Sequence, residues 1–318
     1  MPAVKTIPSP TDIGALANRI NFETRDFHNR INAYMSIRLA IALRHGFIYR
    51  QGLAAFYHIF GAIEAEIDHL LAIEKSIATT KQLKTKKILQ KFYVDEFRRK
   101  DRIYEDLTLL YYPEFQGNND QLTAFLDSDL FTNESVELTN FVRYIHETTA
   151  NEPCTILAYC HVLYLALFAG GKIMKSDVLK NVGLFPNFKH LSSSELANRG
   201  SNFYKFSEEG TADVDLRLRW EYKTNYELST REELSEPEKQ EIIKVSKDIF
   251  VLLENTIAEI GQRNKSELMG TFSFKVVTYL VEEWKYNEKI SGSTKQLIIL
   301  TLLTFQLLLV YFLLRKFI

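Results

Sequence analysis

The sequence predicts an all-α fold, and three observations carry that reading. Chain breakers are scarce, with 7 prolines and 13 glycines in 318 residues, about half of average usage. Apolar residues recur at helical spacing through most of the chain, and no alternating stretch is long enough to build a sheet. The chain closes on a long uncharged run of helical length. The remaining composition is that of a globular protein, 46% hydrophobic and 25% charged. Thirty-nine basic residues against 40 acidic ones give a net charge of -1, which excludes the basic footprint of a nucleic-acid binder. Cys154 and Cys160 have neither redox-pair nor zinc-knuckle spacing and are expected to pack as small hydrophobes in a reducing compartment.

Taken in order, the N-terminus lacks the apolar segment of a secretory signal. Ser9-Pro10-Thr11-Asp12 reads as an N-cap, a proline at the first helical position and an acidic first turn. The helix that follows carries Ile13, Leu16, Ala17, Ile20, Phe27, Ile31 and Met35 on one face. In a second helix Phe56, Phe60, Ile63 and Ile67 point inward, and Glu64, Glu66 and Asp68 lie on or near the wet side. Further helices are expected over 85–110, 122–127, 133–148, 153–169, 178–182, 213–228 and 236–260. Residues 261–294 read as a juxtamembrane linker, partly helical, with an aromatic-rich patch from Phe272 to Trp284.

From Leu297 to Leu314 the chain reads LIILTLLTFQLLLVYFLL, 18 residues without a formal charge. At about 1.5 Å per residue the run spans roughly one hydrocarbon core. Lys295, Arg315 and Lys316 stand where they can snorkel at its two ends. Thr301 and Thr304 can bond back to helix carbonyls. Four residues follow Leu314, so residues 295–318 are expected to form a tail anchor that leaves the N-terminal part in the cytosol. The endoplasmic reticulum or nuclear envelope is the expected host, with the mitochondrial outer membrane as the alternative.

Three places carry residues suited to chemistry. His28 shares a helical stripe with Ile20, Thr24, Ile31 and Met35 and is expected to aim into the core. No zinc-binding spacing, phosphate loop, nucleophile elbow or dinucleotide fingerprint is present. In EPCTILAYCHVLYLALFAGGK, only His161 is strongly polar between Ile156 and Ala169, and Gly170 and Gly171 follow. Fourteen residues are too few for an untilted span, so this helix is expected to be buried. The two glycines either end the helix or let it bend and approach a flat ligand. Arg217, Arg219 and Lys223 form a basic set, with Arg219 and Lys223 on one face. It reads either as a solvated face or as a clamp for ligand carboxylates.

Together these places resemble the haem oxygenase family. ETRDFHNRIN is similar to the family's proximal helix, FYHIFGAIEAEID to its second helix, and LYLALFAGGK to its distal helix. GSNFYKF and RLRWEYKTNY resemble the stretch leading into its propionate-binding helix. The order and spacing agree over about residues 10 to 260, and the nearest likeness is to the fungal, tail-anchored branch. The resemblance implies a single haem oxygenase-like helical domain over 1–260. It makes His28 the axial ligand of the haem iron, and Gly170 and Gly171 the glycine pair over the haem. Arg219 and Lys223 fall on propionate-pairing cations, and His161 on a tyrosine that contacts a propionate. Asn21 falls on a propionate lysine, whose charge Arg25 one turn later is expected to replace. Leu167 stands where the family has an aspartate that orders distal water, and Ala166 replaces a distal glycine.

The activity so implied is cleavage of haem b, with dioxygen and NADPH through cytochrome P450 reductase. The products are biliverdin, carbon monoxide and ferrous iron, and the role is iron recovery. Haem would be both substrate and cofactor. Two other readings stay open: a haem-binding sensor or chaperone without turnover, and a tail-anchored adaptor that binds proteins and no haem.

Overall fold

The structure, a computed structural model, describes residues 8–9, 11–32, 43, 45–128, 135–180, 184–188, 190–206 and 212–270, with scattered positions between 293 and 304. Met35, Pro10, the patch from Phe272 to Trp284 and most of the C-terminal apolar run lie outside them. The chain divides into two compact units, Met1–Gln262 and Arg263–Ile318. Among the described residues every regular element is helical.

Besides two short turns of helix, Tyr112–Phe115 and Lys265–Leu268, the helices are α1 (Leu16–Glu23), α2 (residues 25–32), α3 (Gly46–Ala72), α4 (Thr80–Phe92), α5 (Lys100–Leu110), α6 (Asn119–Leu126) and α7 (Val136–Asn151). They continue with α8 (Ile156–Tyr159), α9 (Leu165–Lys180), α10 (Ser193–Arg199), α11 (Ala212–Glu233) and α12 (Glu236–Arg263). Helix α3 is the central one. It packs against α4, α5 and α7, and 13 of its 27 residues are buried, more than a single face would hold. Helix α11 lies on α4, and α1 lies on α11.

The first helix starts later than expected. Ser9 caps no helix and Asp12 is not in a first helical turn; the Asp12 carboxylate accepts from the Gly14 backbone and from Arg231. Ile13 is 91% exposed, and α1 begins at Leu16. Leu16, Ala17, Ile20 and Ile31 are buried as expected. Thr24 interrupts the helix at φ -100°, ψ 2°.

Residues 85–110 do not form one helix. A break at 93–99, with a 3₁₀ turn at Asp95–Phe97, separates α4 from α5, without any glycine or proline to announce it. Its cause is tertiary. Glu64, expected near solvent, is buried and accepts from the backbone N–H groups of Arg99 and Lys100, capping α5. Arg99 is also fully buried, and its guanidinium donates to the carbonyls of Glu96, Phe97, Phe203 and Lys205. Burial lowers its pKa to about 10, so it stays charged at neutral pH. The α4 start carries a Thr79–Gln82 capping box. Cys154 and Cys160 are both buried and unpaired, as expected.

No single helix among the described residues is long and apolar enough to cross a membrane. In the C-terminal unit, Thr301 Oγ1 donates to Leu297 O at 2.8 Å and Thr304 Oγ1 to Leu300 O at 2.7 Å.

Candidate functional site

The candidate site is built around one compound helix. Pro153–Thr155 forms a tight 3₁₀ turn that leads into α8. Cys160–Tyr164 then widens into a π turn before α9, where the sequence suggested a continuous α-helix over 153–169. A π turn loosens backbone carbonyls, and such turns recur at functional positions. Here two tyrosines of α11 take carbonyls at and before the turn. Tyr222 Oη donates to Cys160 O at 2.6 Å, and Tyr226 Oη donates to Leu157 O at 3.0 Å. Burial pushes both phenols well up, so they remain protonated donors.

The two glycines do not end the helix, which runs on to Lys180. Its axis turns by 51° between Phe168 and Ile173, around Gly170 and Gly171. A Cβ at Gly170 would meet nothing within 4 Å, and one at Gly171 only the Tyr204 ring at 3.9 Å. Protein packing therefore does not demand these glycines. Ala166, Gly170 and Ile173 lie three and four apart on one face, which opens to solvent: Ala166 and Ile173 are exposed and Gly170 is half-exposed.

Leu167 is turned away from that face and is buried. It lines a cavity of about 100 Å³ with Phe168, Tyr204, Phe206, Asp215, Leu216 and Arg219. The Arg99 cluster holds the 203–206 wall of this cavity. Asp106 adds to it by accepting from the Asn202 and Phe203 N–H groups, both at 2.9 Å. Burial raises the Asp106 pKa to about 7 against the pull of those bonds.

On α11, Arg219 and Lys223 do share an inner face. Arg219 Nε is buried without a partner. Lys223 is half-buried, and burial followed by the Arg219 charge lowers its pKa. Arg217 is not part of the group; it lies in solvent opposite Glu221 at 3.9 Å.

His161 is 3% exposed in the π turn. Its Nε2 donates to Asn21 Oδ1 of α1 at 3.1 Å, and its Nδ1 is buried without a partner. Burial, and then the Lys223 charge, lower its pKa to about 3, so the ring is neutral. Arg25 does not join this group. It is exposed, reaching Asp26 at 3.8 Å and the Phe22 ring at 5.7 Å. The break at Thr24 removes the one-turn relation to Asn21 on which its expected role rested.

The structure also corrects the expectation that His28 aims into the core. The stripe Ile20–Thr24–Ile31 is buried, yet His28 on α2 is exposed. Ile31, beyond Thr24, remains buried, so the stripe carries on past the break; at about 100° per residue His28 stands at its margin. The ring meets Phe250 of α12 edge-on at 6.2 Å, and the Asn32 amide donates to Nδ1 at 3.3 Å. With Nδ1 engaged, Nε2 is the nitrogen left for a ligand. The structure thus brings Asn21, His161, Arg219 and Lys223 into one neighbourhood. His28 and the Gly170–Gly171 bend each border open space.

Another cluster, Glu152, Cys154 and Glu238, has metal-ligand reach. Lys81 and Lys84 already pair with its carboxylates, and burial pushes the Cys154 thiol up, away from the thiolate a metal needs.

The Heme oxygenase family profile matches residues 14–259. Heme-binding protein HMX1 of Saccharomyces cerevisiae is 51% identical over 98% of this chain and 96% of its own length. A Heme oxygenase of Rhodella violacea is 24% identical over 72% of this chain and 79% of its own. Among solved structures, heme oxygenase-2 from Synechocystis sp. PCC 6803, in complex with heme and NO, superposes with a TM-score of 0.62 at 21% identity. That match covers 83% of this chain and 92% of the other. On the extent of the profile match and of the yeast likeness, this chain belongs to the heme oxygenase family.

Proposed function

We propose that the chain binds haem b and cleaves it to biliverdin, carbon monoxide and ferrous iron. The observation that carries this reading is the bend at Gly170 and Gly171. Gly170 stands there with no described atom within 4 Å of where a Cβ would be, on an apolar face with Ala166 and Ile173. Such a face suits a flat apolar ring. The buried, unpartnered Arg219 Nε and His161 Nδ1 beside Lys223 suit the carboxylates of the same molecule. The residues present therefore fit haem.

In this reading His28 Nε2 binds the iron. When it does, Nδ1 takes up the ring proton, and a half-turn of the Asn32 amide lets Asn32 accept from it, which fixes the ring's orientation. Arg219 and Lys223 pair with the propionates, and the glycine bend lets backbone approach the ring closely. Bound haem supplies the dioxygen chemistry and is itself the molecule cleaved. Leu167 contributes neither donor nor acceptor, so any ordered water near the bend is held by backbone groups, Asp215 and Arg219. Electrons come from NADPH through cytochrome P450 reductase. Residues 295–318 anchor the chain in the endoplasmic reticulum or nuclear envelope, where sharing a membrane with that reductase raises effective concentration. The Thr301 and Thr304 back-bonds support the anchor by satisfying both hydroxyls within the helix. Iron recovery is the proposed purpose.

Leu167 favours a second reading, a haem carrier or sensor without turnover. Titration with haem followed by reductase and NADPH separates the two. A stoichiometric Soret band followed by biliverdin formation supports the oxygenase. The same band without biliverdin moves the protein to the second reading, and no band removes both.

A further inference from the structure

The least expected group at the site is the neutral imidazole of His161. A buried ring nitrogen without a partner is uncommon, because its desolvation is uncompensated. The ring's surroundings explain both its neutrality and what would reverse it. From α11 it faces the Lys223 ammonium and the Tyr226 ring, whose centroid is 5.5 Å away, with Arg219 one turn before Lys223. From α1 it faces the Asn21 amide. Its own turn contributes Cys160 and Tyr164, whose groups burial keeps protonated. The buried Glu227 carboxylate lies one turn past Lys223 on the same side of α11, where it is taken up by the Ala17 N–H and by Arg231. The charge that bears on the ring is that of Lys223, and among the described residues the ring's hydrogen bond is the one through Nε2.

We propose that His161 couples carboxylate binding to proton uptake: a ligand carboxylate that settles beside Lys223 draws a proton from solvent onto His161 Nδ1. This inference rests on the haem reading for the source of the carboxylate, and goes beyond it in assigning a proton-linked step to binding. The physical argument has two parts. An anion paired with Lys223 cancels the repulsion that Lys223 exerts on a second positive charge. The anion also offers the protonated Nδ1 the acceptor it now lacks, in a buried setting where a charge-assisted bond is strong. The Nε2 bond to Asn21 Oδ1 persists in either state, since Nε2 carries a proton in both. His161 is thus a positioning residue for the ligand carboxylate that becomes a cation only when that carboxylate is present.

The coupling makes binding pH-dependent in a stated direction. The free ring is neutral above a pH of about 3, so the uptake is absent from the unliganded protein across the working range. Affinity for a dicarboxylate porphyrin falls as pH rises through the bound-state pKa, by at most about tenfold per pH unit for one proton.

Calorimetry of the full chain with metal-free protoporphyrin IX, in two buffers of different ionisation enthalpy near pH 6, counts the protons without involving turnover or the iron ligand. The wild type is expected to take up about one proton per porphyrin. Protoporphyrin dimethyl ester should bind without uptake. His161→Gln keeps an amide donor for Asn21 and cannot titrate; it should bind the free acid without uptake. Lys223→Met should bind the free acid more weakly, because the ligand carboxylate loses its paired ammonium, while burial still keeps the free ring neutral. Equal uptake in His161→Gln, uptake with the ester, or no uptake by the wild type would overturn the proposal. Failure of the wild type to bind protoporphyrin would overturn it as well, while a normal Soret band with haem in that sample would leave the haem reading standing.

Discussion

The guanidinium carbon of Arg99 lies 4.4 Å from the centroid of the Phe206 ring. This contact joins the start of α5 to the wall of the cavity beside Leu167. The cation is stacked on one side by an aromatic face and tied in its plane by four backbone carbonyls. A buried charge has no other inexpensive arrangement. Arg99→Ala should therefore be among the most destabilising single changes in the domain. Charge-assisted hydrogen bonds contribute about 1.5–3 kcal/mol each. Several are lost together, so a loss above about 3 kcal/mol is expected in urea unfolding. Arg99→Lys should recover only part of it, since an ammonium cannot span four acceptors in a plane.

His28 separates ligand binding from stability. The ring is exposed, so His28→Ala should change unfolding free energy by no more than about 0.5 kcal/mol. Haem titration should nevertheless show the axial bond lost, with weaker binding and an altered Soret band. An unchanged low-spin spectrum and full turnover would remove His28 as the ligand.

The glycines can be sorted by what surrounds them. At Gly170 a Cβ meets nothing, and the position is helical. Gly170→Ala should be neutral to stabilising, by up to about 1 kcal/mol from helix propensity, and Gly170→Leu should fold while binding haem poorly. At Gly200 a Cβ would lie 2.1 Å from Phe185 Cε1, so Gly200→Ala should lower the melting temperature. Circular dichroism melts paired with haem titrations distinguish the two positions.

Leu167 bounds the rate. A proton donor placed for the reaction is worth about 10²–10⁴, and leucine supplies none. Turnover is expected to persist but to be slower, with more hydrogen peroxide released, than in Leu167→Asp. The introduced carboxylate would face Arg219, whose Nε is now without a partner, so its burial should be tolerated. Single-turnover kinetics that follow biliverdin and peroxide together test this. A Leu167→Asp protein that folds and binds haem but gains nothing in biliverdin yield would contradict it.

Acid should release the N-terminal helices first. Asp12–Arg231, Arg19–Glu236, Glu23–Lys247 and Arg30–Glu254 tie residues 12–30 to α11 and α12. Hydrogen bonds from their basic partners lower the pKa of Asp12, Glu23 and Glu236, the last to about 2. A carboxylate whose folded pKa is depressed stabilises above its ordinary value and loses that contribution as pH falls through the folded one. Amide-exchange protection in α1 and α2, relative to the intrinsic rate at each pH, should therefore fall between about pH 4.5 and pH 2, ahead of α3. Added salt should have a similar effect at neutral pH, because these pairs are partly exposed and screened.

Much of the fold was legible in the residues themselves. The scarcity of breakers and the 3.6-residue period identify the all-α class and most helix positions, because an amphipathic stripe is a local property of the chain. The collinear segments around His28, Phe60, Gly170 and Lys223 identify the family. Other features were decided by partners distant in sequence. Glu64 and Arg99 look like surface charges until α5 and residues 203–206 enclose them. The π turn at Cys160–Tyr164 depends on hydroxyls from Tyr222 and Tyr226, about sixty residues further on. His28 shares a stripe with Ile20, Thr24 and Ile31, and only the packing leaves those three buried and His28 exposed. A sequence states which residues can share a face; whether that face meets protein, solvent or a ligand is set when the helices pack, because burial is a property of the neighbours.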